Sequence, residues 1–419
     1  DAMRIARRFA PAAVLSLAAC GAGDRAADGV VVRDSSGVLI VESPAPAWGR
    51  TSPWTVSTEP IATIGAVEGE AAYQLHRVAA ALRLSDGRIV VANLGSSDLR
   101  YYDGAGRHVR TVGGRGEGPG EFSTLAGVVR GGADTVLVYD ARLLRLTVLA
   151  PEGSVAGIVT FQPPRDTARF GGALTPFSHA LSGRLSGDRY VLTGSGFSVQ
   201  LRPQPTVYRM SHPNLMYSAA GEPLDTLGRG LGVEIYAGSR IAGPYPFARW
   251  TRAAVHDGRL YVGDPGAPEV LVYSADAGLE RIVRYARPPE RVTNELFEAA
   301  VEHAVERQSR FPIPGADEAT WRSFYGAMPR PEALPAYDEL KVDARGHIWL
   351  QDWRPSWERG PRRWTILDPE GRWLGALTLP DIDVHDIGAD YILGVWKDEL
   401  DVEYVQLFGL TREVEARTR

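Results

Sequence analysis

Asp86-Gly87-Arg88-Ile89-Val90-Val91-Ala92-Asn93 is the stretch on which the fold turns. Asp-Gly opens a tight turn, the glycine supplying positive φ. A short β-branched run follows, and a side chain with a hydrogen-bonding oxygen closes it. The pattern returns at 133–140 (ADTVLVYD), 187–193 (GDRYVLT), 257–264 (DGRLYVGD), 345–352 (RGHIWLQD) and 389–395 (ADYILGV). Six copies make this a repeat architecture, and a repeat has to be recognised before any element is assigned alone.

Each copy has company. A second apolar strand follows, then a tight turn and a third strand, as in 99–102, Asp103-Gly104-Ala105-Gly106 and 108–112, or 364–367, Asp368-Pro369-Glu370-Gly371 and 373–377. Another apolar run precedes the copy, at 78–84, 126–129 or 340–342. Each unit is thus expected to be a four-stranded antiparallel meander, and six such sheets arranged radially make an all-β, six-bladed β-propeller. The strand at 404–410 leaves the sixth unit one strand short. Ile61-Ala62-Thr63-Ile64-Gly65 resembles the outer strand Val109-Arg110-Thr111-Val112-Gly113 and would supply it, closing the ring over an edge otherwise open to aggregation. The expected organisation is a leader at 1–19, a tether with N-terminal strands at 20–59, the propeller at 60–411 and a tail at 412–419. Insertions interrupt the propeller at 196–246 and 287–336.

Composition bounds the rest. Apolar residues make 44% and charged residues 23%, the mix of a globular chain with a sizeable core, while 46 glycines and 29 prolines call for many turns. The net charge is −5, Lys341 and Lys397 are the only lysines, and no basic block exists, which argues against a nucleic-acid partner. One cysteine excludes a disulfide framework and any Cys-rich metal site. That cysteine closes Leu17-Ala18-Ala19-Cys20, after Arg4, Arg7, Arg8 and the apolar stretch 9–19, so Cys20 reads as the lipidation site of a bacterial lipoprotein leader. Gly21, not Asp, follows it. By resemblance to Gram-negative lipoproteins, this points to the outer rather than the inner membrane. No other stretch approaches the roughly 18 apolar residues of a spanning helix, so membrane contact is expected through the lipid anchor only.

Residues 111–122, Thr-Val-Gly-Gly-Arg-Gly-Glu-Gly-Pro-Gly-Glu-Phe, followed by a strand, a turn and an aspartate, resemble the linker of NHL-type repeats. The whole is similar to the six-bladed propeller lipoproteins of Gram-negative bacteria over about residues 60–411. The likeness is specific in units one and two, looser in four to six and poor in three, which lacks the terminal Asp. The glycine run is no phosphate loop, since neither GxxxxGK[ST] nor GxGxxG before a helix occurs.

The insertions differ in character. Residues 196–246 are rich in Pro, Gly, Tyr and Ser and read as a long loop extending unit three. In 287–336, Val292, Leu296, Ala299, Ala300, His303 and Ala304 fall at helical spacing, with Thr293 as N-cap, Glu295 in the first turn, and Pro312 and Pro314 as stops. Residues 317–325 read as a second, short helix. The pair would lie either over one mouth of the propeller channel or on its flank.

Chemistry leaves few marks. There is no GxSxG, no HExxH and no paired histidine spacing. His256 and His347 read as solvated turn residues, and His303 as core. Asn93, Asp140, Asp264 and Asp352 close the repeated strand and should be equivalent; either each caps amides of its own hairpin, or together they offer oxygens to a channel-mouth Ca²⁺. Propeller hydrolases resembling gluconolactonases and paraoxonases use such a metal, but their ligand patterns do not map onto this chain. Trp349, Trp353, Trp357, Trp364 and Trp373 cluster with Arg354, Arg359, Arg362 and Arg363. Trp349 and Trp364 fit inward strand positions. Trp353, Arg354 and Trp357 fall in a loop, where they would pack on a neighbour or contact a glycan, peptide or protein. The expected function is a binding or scaffolding module for such a partner in the envelope. The alternatives are a Ca²⁺-dependent lactonase or esterase, and an accessory subunit of a larger envelope assembly.

Overall fold

A computed structural model of the chain describes residues 24–25, 29–49, 51–165, 179–194, 200–310 and 315–412. The leader, Cys20 and residues 413–419 of the tail lie outside them. The repeated stretch forms the second strand of six antiparallel units, at Ile89–Asn93, Val136–Asp140, Arg189–Gly194, Arg259–Gly263, Ile348–Gln351 and Tyr391–Lys397. An inner strand precedes each: Val78–Arg83, Leu125–Arg130, His179–Leu185, Arg252–His256, Glu339–Val342 and Asp383–Ile387. A third strand follows at Asp98–Tyr102, Arg145–Leu149, Ser211–Tyr217, Glu269–Ser274, Arg362–Leu367 and Glu403–Arg412. Units one to five add a fourth at His108–Gly113, Val155–Thr160, Pro223–Leu231, Gly278–Tyr285 and Trp373–Leu379. Beside Glu403–Arg412 lies Ala62–Ile64 instead, with Ile64 opposite Val405 and Ala62 opposite Leu407.

The inner strands touch in series from unit one to unit six, and Asp383–Ile387 touches Val78–Arg83. The arrangement is that of a β-propeller. Its core follows from strand periodicity. Val90 and Ala92 face the cluster shared with unit two, whereas Ile89 and Val91 face the one shared with unit six. Both faces are covered, so every residue of Ile89–Asn93 is buried and the sequence reads as a continuous apolar run rather than an alternating one. Side chains tie neighbours together. Glu403 accepts from the Val78 amide at 2.7 Å, and Asp386 accepts from the Arg83 amide (2.9 Å), Arg130 (2.5 Å) and the Tyr391 hydroxyl (2.7 Å).

Two regions depart from expectation. The described part of 196–246 is not a loop extension. It supplies the third and fourth strands of unit three, together with a small sheet of Thr206–Tyr208, Ile235–Ala237 and Ala242–Pro244. Pro213, Pro223, Gly228 and Gly230 look like breakers, but register shifts at Pro213/Leu215 and Met216/Tyr217 absorb the irregularity. Near the N-terminus, Val31–Ser35 and Val38–Ser43 form a hairpin, and the latter strand runs parallel to Gly278–Tyr285, widening unit four. The two helices, α1 (Asn294–Ser309) and α2 (Glu318–Gly326), begin where expected. The Thr293 side chain accepts from the Leu296 amide at 3.2 Å, and Asp317 accepts from the Thr320 amide at 2.8 Å.

Candidate functional site

In an antiparallel meander the connections from strand two to three, and from strand four to the next unit, emerge at one end. The long connections, in their described parts 200–210, 232–251, 286–310 with 315–338, and 352–361, therefore share a face. They merge into a cap with its own apolar cluster: Tyr236, Tyr245 and Phe247 of the small sheet and its flank, Ala300, Ala304 and Val305 of α1, and Trp321 and Tyr325 of α2. Trp353 and Trp357 pack against it, Trp353 at 5.8 Å from Phe247 and Trp357 at 4.8 Å from His303, ring centre to ring centre. His303 is half-buried against that indole rather than enclosed in the core.

The four residues closing the repeated strand divide by partner. Two of them bind backbone amides alone or with a neighbouring hydroxyl. Asn93 accepts from His76 N at 2.8 Å, and Asp140 from the amides of Ser123 (2.6 Å), Thr124 (3.1 Å), Arg142 (3.0 Å) and Leu143 (3.1 Å). At the other two, arginines from distant connections join in, and Asp264 still accepts from the Gly266 amide at 2.9 Å. Asp264 meets Arg209 at 2.7 Å, and Asp352 meets Arg287 at 2.6 Å and Arg363 at 2.5 Å. The four do not converge on a common point as a Ca²⁺ cage would need; their oxygens serve hairpins and cap. Among the described residues no three of His, Cys, Asp or Glu are grouped so as to hold a metal ion. Arg354 reaches Asp381 at 3.4 Å and the carbonyl of Pro361 at 3.3 Å, bracing the Trp353–Trp357 loop. Trp349 and Trp364 are fully buried, as their strand positions imply. His347 is not a solvated turn residue: its ring lies 3.2 Å from the buried Asp343 carboxylate and edge-on to Trp54. Burial likewise holds the half-buried His256 imidazole below its usual range.

Among the concavities of the described residues, one lies on the cap and one on the axis. On the cap, α1, α2 and Trp357 border an open groove of about 820 Å³, lined by Ala299, His303 and the ion pairs of Arg322 with Glu302 and Glu318 and of Arg310 with Glu306. On the axis, inner strands of all six units line a cavity of about 680 Å³ that includes Arg130, Arg184, His256, Lys341 and His385 but no helix residue. Its lining includes the turns between first and second strands, such as 186–188 and 257–258, so it opens at the end opposite the cap. Sequence reasoning missed Lys341 and His385 because an inner strand's channel-facing positions look like any polar interruption of an apolar run. It missed Arg209 and Arg287 because their partners are distant in the chain.

No family model matches this sequence, and no curated protein matches it. Among solved structures 184 chains are similar. A member of the DUF4221 family from Bacteroides vulgatus is 13% identical, with 86% of this chain and 99% of that one covered at a TM-score of 0.50. A Bacteroides fragilis protein thought to be exported is 8% identical over 90% of this chain and 100% of its own, at 0.48. The β-propeller domain of Cps50 (Swd1) from Myceliophteria thermophila is 8% identical over 80% and 99%, at 0.35. At such identities the likeness is one of fold. The chain is a mostly-β protein of the propeller type, a fold that serves varied functions.

Proposed function

We propose that the chain is a non-catalytic binding module of the bacterial cell envelope. In this reading it is a six-bladed propeller lipoprotein of the NHL-like kind, closed by Ala62–Ile64, tethered through Cys20 and engaging a protein, peptide or glycan through its capped face. The observation that carries the reading is the one-sided distribution of the insertions. Four long connections share one end and one apolar cluster, while the turns between first and second strands at the other end are tight. Long ordered insertions on a rigid scaffold are where binding residues concentrate. The serial inner-strand contacts support six blades, and the pairing of Ile64 with Val405 supports the closing strand. The lipid anchor rests on the sequence around Cys20. No helix among the described residues is long and apolar enough to cross a membrane.

Photo-crosslinking in intact cells tests the binding surface. A photoreactive residue at Glu306 or Arg310 is expected to give a discrete adduct, whereas one at Asp257, on the opposite end, is not. Adducts from Asp257 alone would assign the wrong face. Cys20→Ser should release the chain from the membrane fraction, and persistence there would refute the anchor.

A further inference from the structure

We propose that the axial cavity is a binding site for a small organic carboxylate, with the Lys341 ammonium as its counter-ion and the His385 imidazole donating beside it. The polar groups of the cavity fall into two sets. In one set, charges are matched within the protein: Arg130 meets Asp386 at 2.5 Å, Arg184 meets Asp188 at 2.5 Å, and the buried Asp343 meets Arg412 at 2.7 Å. Asp257, beside His256, lies 3.7 Å from Arg259. In the other, Lys341 and His385 of neighbouring units line the cavity without such close matches. The nearest carboxylate oxygen to Lys341 Nζ is that of Glu339 at 3.9 Å, beyond hydrogen-bond reach. Neither Lys341 nor His385 has a side-chain hydrogen bond to the described residues, and both are half-buried, so their N–H groups are open to an acceptor that displaces water.

Charge and shape select the class of ligand. Burial, reinforced by the Lys341 charge, pushes the His385 imidazole down to about 3, so it is neutral and carries one N–H. Burial alone would raise the Glu339 carboxyl, yet Lys341 and Arg252 hold it below its ordinary value, so it stays ionised. Of the cations that line the cavity, Lys341 is the one left with only a long carboxylate contact, which a small carboxylate would replace with a close one. Ala80, Leu82, Val128 and Val255 contribute apolar patches to a largely polar lining, and about 680 Å³ is ample for a small organic body.

The test exploits the lysine count. Reductive ¹³C-methylation of the purified chain labels only Lys341, Lys397 and the terminal amine, and Lys341→Gln assigns the signals. Benzoate and acetate should shift the Lys341 resonance saturably and leave Lys397 unmoved. His385→Gln, with melting unchanged as the folding control, should weaken benzoate binding roughly three- to tenfold, the loss of one hydrogen bond. Calorimetry on the unmodified chain should give a heat with benzoate that Lys341→Gln abolishes. A shift shared by both lysines, or one that chloride at equal ionic strength reproduces, would overturn the site. Saturation by inorganic phosphate but not by carboxylates would overturn the ligand class.

Discussion

Asn93, Asp140, Asp264 and Asp352 show how far a single residue can be read. Their equivalence is legible because the strand period fixes where each side chain leaves the sheet. Their partners are not, because those depend on what the next loop brings. Asp140 holds four amides, so Asp140→Ala should cost about 2–4 kcal/mol in denaturant unfolding, as several buried donors lose one acceptor. Asp338 makes the pH-dependent case. Burial, with Glu339 adding to it, pushes its carboxyl up from 3.8 to about 7, and Oδ1 has no hydrogen-bond partner. The folded state therefore holds this proton more tightly than the unfolded state between about pH 4 and 7, and stability from this group falls as pH rises through that window. Asp338→Asn should raise the melting temperature at pH 8 and leave it unchanged at pH 4. An equal rise at both values would mean that packing, not ionisation, is responsible.

Elements were legible where local chemistry sets them. Thr293 and Asp317 start α1 and α2 because Ser/Thr/Asp oxygens satisfy the free amides of a first turn, and the apolar spacing in α1 marks the buried Ala300 and Ala304. The strands of unit three stayed hidden because their bulges carry Pro and Gly. The parallel pairing of Val38–Ser43 with Gly278–Tyr285 leaves no local trace, since a parallel partner distant in the chain imposes no turn. Packing of α2 yields the prediction at this scale. Trp321 is fully buried and its ring lies 5.9 Å from that of Tyr325, so Trp321→Ala should cost about 3–5 kcal/mol. Because the cap has its own apolar cluster, that loss should fall on the cap first. Hydrogen exchange should speed up across α1, α2 and Tyr236, while Ile89–Asn93 keeps its protection. Uniform acceleration would show that cap and ring unfold as one.

At the scale of the whole molecule, a ring of sheets stands on its weakest seam. The resemblance of 61–65 to 109–113 proved to have a physical basis in its last residue. Gly113 ends its strand at φ +88°, where a Cβ would fall 2.6 Å from the Phe122 ring, and Gly65 follows its own at φ +146°, where a Cβ would fall 2.7 Å from the Glu403 carbonyl oxygen. Both turns demand glycine, for conformation and for space. If Ala62–Ile64 closes the ring as proposed, Gly65→Ala should push that strand off Glu403–Arg412 and uncover a strand edge. Gly114→Ala is the control, since Gly114 has a matching positive φ of +148° with nothing within 4 Å of its Cβ, so it suffers backbone strain alone. Gly65→Ala should therefore melt well below Gly114→Ala and form concentration-dependent aggregates on size-exclusion chromatography, the behaviour of an exposed edge. Equal melting of the two variants, with both remaining monodisperse, would mean that the seam is held without this strand. The side-chain ties Glu403–Val78 and Asp386–Arg83 would then have to carry the closure between the sixth unit and the first.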